Sequence, residues 1–336
     1  MTSALANPTS DENTAFRAPH SPALDALRQP AAAGCVPGAD DTLESHVRGS
    51  VRARCSLWWR GTPAHGGRRT GFIGAIESDD AGALAALLVR AAKHLKDAGC
   101  ELAVGPVDGD TWHRYRLVTF TDGTPPFALE PYSALDAIRP WQRAGFTPLE
   151  TYASYRDDAL APTARSHVHA ERDARAATLE ERLKDAGVAV RPLNLARFDD
   201  ELEQIHALAL RGFRDAPLYA PIGFDAFAAL YRPLAPLLDP RLCPVAERDG
   251  RIVGVLFALR DPRAPHTVVL KTVVRDTDRR LAGLGFVLTG RARAAAHALG
   301  ATRAISALQH DGSVARSLAA DAVVFRRYAV LAKELS

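Results

Sequence analysis

Apolar and polar positions alternate in blocks along the 336-residue chain, and the blocks recur twice in the same order. Arg54-Cys55-Ser56-Leu57-Trp58-Trp59 reads as a strand, the glycine-rich Arg60 to Arg69 with Pro63 as a turn, and Thr70 to Ile76 as its hairpin partner. Leu84, Leu87, Leu88, Ala91, Ala92 and Leu95 then recur at helical spacing. Asp79 or Asp80 is placed to cap this helix and Gly99 to stop it. Glu101 to Val104 predicts a short buried strand and Phe127 to Leu129 another. Ala134 to Arg143 predicts a helix ended at Gly145, and Leu149 to Tyr155 the strand that closes this first unit.

The second run repeats the outline. Val188 to Leu193 is a strand and Phe198 to Leu210 an amphipathic helix. Val245 to Arg248 and Arg251 to Leu259 form a hairpin, because Asp249-Gly250 suits a type I′ turn. Thr267 to Arg275 is a β-branched strand, Gly283 to Leu299 a long helix stopped by Gly300, and Arg303 to Leu308 a strand. Ser313 to Ala320 predicts a short helix and Val323 to Leu331 the final strand. The shared order of hairpin, long helix, strand, helix, strand predicts a diverged internal duplication. The organisation expected is a disordered Pro/Ala/Ser-rich arm over 1–45, a first unit over 46–158, a charged helical connector over 159–186 and a second unit over 187–336.

Composition narrows the function without naming it. With 42 basic and 39 acidic residues the formal charge is +3, which argues for neither a nucleic-acid nor a membrane partner. The four cysteines, Cys35, Cys55, Cys100 and Cys243, form no CxxC pair, and His65, His113, His167 and His169 show no metal spacing, so no metal is expected. The N-terminus lacks the pattern of a secretory signal and no run is long enough to span a bilayer. A reducing cytoplasm is the expected location.

The chemistry concentrates after the β-branched strand, at Arg279-Arg280-Leu281-Ala282-Gly283-Leu284-Gly285. The first turn of a helix carries unpaired backbone N–H groups and the positive end of the helix dipole. Glycines let those amides approach an anion, and Arg279 and Arg280 add full charges, so a pyrophosphate is the natural ligand. The string alone is equally a glycine-rich helix start with exposed arginines. A dinucleotide fingerprint would begin with Gly and place an acidic residue about 20 positions on, and a Walker A loop would need Gly-Lys-Ser/Thr; neither is present.

This R-x-x-G-x-G turn, together with the order of elements from Val188 to Leu331, resembles the GCN5-related N-acetyltransferase (GNAT) family. In the first unit, Trp141-Gln142-Arg143-Ala144-Gly145-Phe146 before a Tyr-rich strand resembles that family's C-terminal ending. The resemblance implies an α/β fold of α+β type: two tandem GNAT-like domains, each a mixed, mostly antiparallel sheet flanked by helices. It implies an acyltransferase using acetyl-CoA, or another acyl-CoA, on a small-molecule amine. It also implies that Thr272, Val273 and Val274 hold the pantetheine arm while the turn holds the pyrophosphate. At the equivalent turn, Ile76 to Ala83, the first unit carries Glu77, Asp79 and Asp80, whose charges would repel a pyrophosphate. Only the second unit is therefore expected to bind acyl-CoA.

The chain departs from the family pattern where the acid and the arm-holding Asn usually stand. His310-Asp311-Gly312-Ser313 offers Ser313 or Asp311 for the Asn, and Arg316 to Ala320 contains no Tyr. Glu247, His310 and Tyr328 are the remaining acid–base candidates, each equally readable as a hairpin, loop or core residue. In the first unit, Trp112, Tyr115 and Arg116 form an aromatic and basic cluster that reads either as an acceptor pocket or as an interface plug. The competing reading of the whole is a non-catalytic protein that binds acyl-CoA or a metabolite.

Overall fold

A computed structural model describes residues 38–160, 167–313 and 322–336. Strand β1, Asp41–Val47, begins within the segment expected to be a disordered arm; residues 1–37 lie outside the described residues. Two features order it. Arg48 and Gly49 both take positive φ (51° and 81°), the geometry of a tight hairpin turn, and Leu43 packs on the core. β1 pairs with β2, Ser50–Trp58, and β2 with β3, Thr70–Ser78, both antiparallel. Helix α1, Ala81–Asp97, buries the predicted leucine and alanine face, and β4, Leu102–Gly105, returns parallel to β3.

Strand β5 lies at Leu117–Thr121, not at Phe127–Leu129. The latter is a turn in which Leu129 has φ 61°. Its apolar side chains serve packing, not pairing, because all three are buried in the core of the second half. A 3-10 turn at Leu135–Ile138 leads into α2, Arg139–Arg143, and then β6, Thr147–Asp157. Helix α3, His167–Asp185, lies within the segment 159–186. The second half runs β7, Ala189–Pro192; α4, Phe198–Gly212; α5, Phe224–Tyr231; β8, Pro244–Arg248; β9, Arg251–Asp261; and β10, Ala264–Arg275. It continues with α6, Leu284–Ala298; β11, Arg303–His310; and β12, Val323–Glu334. The short α5 has too few turns for its periodicity to stand out in the sequence. The helix expected over Ser313 to Ala320 falls largely outside the described residues, which omit 314–321. Among the described residues no helix is long and apolar enough to cross a membrane.

The strands form one mixed sheet in the order β1-β2-β3-β4-β12-β6-β11-β10-β9-β8-β7, with β5 on β12. The α/β class expected from the sequence, a mixed and mostly antiparallel sheet flanked by helices, is the one observed. The two halves, however, exchange their closing strands. β6 does not end the first half; it lies between β12 and β11, while β12 crosses back to pair with β4 and β5. Both strands can sit centrally because both are long and buried: Phe325, Tyr328, Val330 and Leu331 of β12 are sealed, as are Tyr152 and Ala153 of β6. Apolar side chains on consecutive residues suit a strand covered on both faces.

Helix α3 lies along α6. Leu179 packs against Gly283, Ala176 against Gly290, and Glu180 accepts a hydrogen bond from Arg291 at 2.9 Å. Beneath it, Arg293 of α6 pairs with Asp157 of β6, both almost fully buried.

Candidate active site

The two halves handle the equivalent helix start in opposite ways. In the first half, the Asp80 carboxylate accepts the amides of Gly82 and Ala83 at 2.8 and 2.9 Å, and these bonds hold its pKa below the usual carboxylate range. The first-turn donors that an anion would use are thus taken by the chain itself. In the second half, α6 opens at Gly283, left-handed at φ 87°, with no side-chain cap. A Cβ at Gly283 would lie 2.9 Å from Leu179, so only glycine fits both the dihedral and the space. Leu281 and Leu284 are buried and anchor the turn, while Arg279, Arg280 and Ala282 are exposed. Arg280 is not idle: its guanidinium folds onto Asp278 at 2.8 Å, and Arg248 reaches the same carboxylate at 3.0 Å. The Arg280 bond is the main cause that holds the Asp278 carboxyl well below its ordinary range. Arg182 of α3 hydrogen-bonds the Ala282 carbonyl.

The strand gaps differ in the same sense. β3 and β4 pair in parallel only from Thr70 to Phe72; beyond that, Val107 donates its amide to Ile73 O at 2.9 Å and Asp108 accepts from Ala75 N at 2.6 Å. The segment fits because Gly74 has no side chain: a Cβ there would stand 2.1 Å from Val107 O. The first half has filled its own gap. β10 and β11 also pair in parallel, from Thr267 to Leu270 against Arg303 to Ser306, and then part. At the parting point β10 carries a bulge, since Leu270 opposes Ala258 and Thr272 opposes Phe257 with Lys271 left over.

The bulge turns Lys271 toward a buried polar cluster that the sequence reading missed. Its Nζ donates to Leu129 O at 2.9 Å. Burial, and after it the nearby Arg116, bring its pKa down to about 7 against the opposing pull of Glu130. Arg116, taken in the sequence as a substrate candidate, is 5% exposed and sandwiched between the rings of Tyr115 and Tyr152 at 3.7 and 3.9 Å. Its Nη1 reaches Leu308 O at 3.4 Å, its Nε is buried without a partner, and burial brings its pKa down to about 10. The only sequence signal for Lys271 was a lysine interrupting a β-branched strand.

Of the acid–base candidates, Tyr328 lies in this cluster and is fully buried. Its hydroxyl donates to Glu130 Oε1 at 2.5 Å and lies 3.0 Å from Ser154 Oγ; burial, then Glu130, raises its pKa. Arg326 Nε is 2.9 Å from the same carboxylate. His310 stands at the far end of β11, its Nε2 2.6 Å from Glu150 Oε2, while its Nδ1 accepts the Gly312 amide at 3.1 Å. Ser313 donates its amide to His310 O at 2.9 Å. Glu247 is set apart: it lies on β8 and accepts from Arg191, which also binds Glu201.

Thr272 and Val274 line a small apolar cavity of about 40 Å³, whereas Val273 faces the α6 side of the sheet. Leu202, Ile205 and Ala209 of α4 and Phe227 and Tyr231 of α5 form its other walls. Trp112 closes it from the first half, edge-on to Phe227 and Phe213, with its Nε1 donating to Ala220 O at 2.9 Å. The aromatic cluster is thus split: Trp112 belongs to the cavity, Tyr115 and Arg116 to the polar cluster beside it.

No family model matches the chain. A protein named bacterial ceramide synthase, from Caulobacter vibrioides, is 26% identical over 194 residues, 57% of this chain and 48% of that protein; the chain spans about half the length of this curated relative. Among solved structures, the GCN5-related N-acetyltransferase of Sphaerobacter thermophilus is similar with a TM-score of 0.45 at 13% identity, over 85% of this chain and 78% of that one. A tandem GNAT protein from the clavulanic acid biosynthesis pathway is similar with a TM-score of 0.47 at 12% identity, over 90% and 85%.

Proposed function

We propose that the chain is an acyltransferase of GNAT type that moves an acyl group from acyl-CoA to an amine, with the donor bound by the second half, 187–336. One contrast carries the reading. The first half caps its helix with Asp80 and fills its strand gap with Val107 and Asp108, whereas the second leaves Gly283 uncapped beside strands that part after Leu270 and Ser306. A pyrophosphate at Gly283 to Gly285 would meet the helix amides, and Arg279 and Arg280 would flank it, Arg280 exchanging Asp278 for phosphate. The pantetheine arm would run along Thr272 to Val274, with Ser313 near its end. The chain of the curated relative that makes ceramide favours an amine acceptor, either a small metabolite or one borne on a lipid.

In the reaction the amine nitrogen attacks the thioester carbonyl, the C–S bond breaks, and CoA leaves as thiolate. Lys271 is the group we assign to take the ammonium proton, because a pKa of about 7 leaves half of it neutral at neutral pH. Of the sequence candidates, Tyr328 is the one in the same cluster; returning a proton to sulfur would require it to give up Glu130. His310 and Glu247 are held by Glu150 and Arg191 and are assigned supporting roles.

The test is calorimetric titration of the full chain with CoA and acetyl-CoA, followed by thiol release with an amine panel. Arg280→Glu is expected to weaken CoA by an order of magnitude or more. Unchanged affinity would remove the pyrophosphate from this turn. CoA binding without thiol release from any acyl donor would leave the non-catalytic reading, which the internal commitment of Tyr328 and His310 favours.

A further inference from the structure

Arg116 is a buried cation that lacks an anion. Its side chain is 5% exposed, its Nε has no hydrogen-bond partner, and its bond to Leu308 O is long at 3.4 Å. The carboxylate of the same cluster, Glu130, is already taken. Its Oε1 accepts from Tyr328 and faces Arg326, and its Oε2 accepts the amide of Phe127 at 3.1 Å. The rings of Tyr115 and Tyr152, at 3.7 and 3.9 Å, give the guanidinium only the weaker attraction of their π faces. Burying a charge without a paired partner is costly, so the site is complementary to an anion that comes from outside the chain.

The backbone around this cation is held in a costly form. Arg116, Leu129 and Leu308 all take left-handed φ, 73°, 61° and 56°. The Leu308 carbonyl accepts from Arg116 and the Leu129 carbonyl from Lys271. Non-glycine residues in this region persist where the surrounding structure fixes them, and such positions gather at ligand sites. The position says which ligand. Lys271 on β10 and Leu308 on β11 lie just past Leu270 and Ser306, where the two strands part, and both are half-buried. The unpaired cation thus stands at one lip of the gap assigned to the thioester, and the proposed base at the other.

We infer that Arg116 receives a carboxylate of the acceptor, so that the acceptor is an amino-carboxylic acid, with its amine toward Lys271 and its acid on the guanidinium, and not a plain alkyl amine. A guanidinium edge suits a carboxylate, which would give Nε its missing acceptor and neutralise the buried charge. Arg116 binds and orients in this scheme and moves no proton. The inference rests on the reading of the chain as an amine acyltransferase.

The experiment measures thiol release from acetyl-CoA and octanoyl-CoA by the full chain with glycine, β-alanine, phenylalanine, glutamate and lysine, each beside its carboxamide, and binding of the same compounds by calorimetry. The best acid should exceed its amide in kcat/KM by at least about tenfold. Arg116→Gln should bring that ratio close to one, and Arg116→Lys, which keeps the charge but loses the fork, should leave an intermediate value. Comparing variants cancels the difference in amine basicity between acid and amide. CoA affinity should be unchanged in both variants, which also reports that they fold; where Arg116→Gln does not fold, Arg116→Lys decides. Equal use of acid and amide by the wild type overturns the inference and leaves acyl transfer standing. So does an acid preference that survives the substitutions. Weaker CoA binding with the acid preference intact gives the guanidinium to a donor phosphate and also overturns it. Binding of an acid that depends on Arg116, with no thiol release from any compound, keeps the carboxylate site and removes the acyltransferase reading. If no compound binds or reacts, both fall.

Discussion

The protonation of Lys271 can be read from stability without any substrate. Consider Lys271→Met, which keeps an unbranched side chain but removes the charge. In the unfolded chain the lysine titrates near its ordinary 10.5, and in the fold at about 7. Below pH 7 both states hold the proton and the fold carries the full cost of a charged amine in a poor environment. The gap between the two values sets a ceiling of roughly 5 kcal/mol on that cost. As pH rises from 7 toward 10.5 the folded protein has shed the proton while the unfolded chain still binds it. The cost is therefore relieved, and stability climbs with pH. Between pH 7 and 9 the relief is about 2 kcal/mol. The methionine variant has no such slope. It does leave Leu129 O without its donor, a penalty of about 1–3 kcal/mol that does not depend on pH. Urea unfolding of both proteins at pH 6, 7, 8 and 9 should thus show the wild-type stability minus that of the variant flat up to pH 7 and rising by about 2 kcal/mol by pH 9. All other titrating groups cancel in the difference. A difference independent of pH across this range would mean that Lys271 stays charged in the fold, and its assignment as the base would fall.

Two further substitutions test the architecture around the site. Gly74→Ala should destabilise by about 3 kcal/mol or more in urea unfolding, since its Cβ would stand 2.1 Å from Val107 O and the segment filling the first-half gap cannot retreat; a neutral effect would mean that the gap is not packed shut. Asp157→Asn should cost about 3 kcal/mol by removing the charge that pairs the buried Arg293, loosening α6 from β6, and a loss below about 0.5 kcal/mol would show that the pair carries no stability.

Much of the local structure was legible in the residues. The Asp249-Gly250 hairpin, the cap at Asp79 or Asp80 (Asp80 in the fold), the leucine face of α1 and the glycine stops at Gly99, Gly145 and Gly300 all act within a few residues, through dihedrals and periodicity that the sequence reveals. The acidic counterpart turn was legible too, although the structure changes its meaning. Asp80 does not only repel an anion; it occupies the amides an anion would use. What misled the reading at Phe127 to Leu129 was apolar character that serves a distant core and not a strand. The arm that becomes β1 was obscured by the same kind of distant demand, because its order comes from β2 and the core beneath Leu43.

The sequence by itself determined most of the elements and the turn at Arg279 to Gly285, because each of these depends on contacts between near neighbours along the chain, whereas β1, β5 and α5 escaped it. Only the tertiary structure decided which strand closes which half, since β6 and β12 offer similar buried faces and pairing partners are chosen by the whole sheet. It also decided the chemistry at the parted strands. Lys271, Glu130, Arg116 and Tyr328 are scattered over more than two hundred positions, and the low pKa of the lysine comes first from burial and then from the Arg116 charge, both of which the fold supplies. The cavity is of the same kind: Trp112, Ala209 and Val274 become neighbours only when the two halves share one sheet.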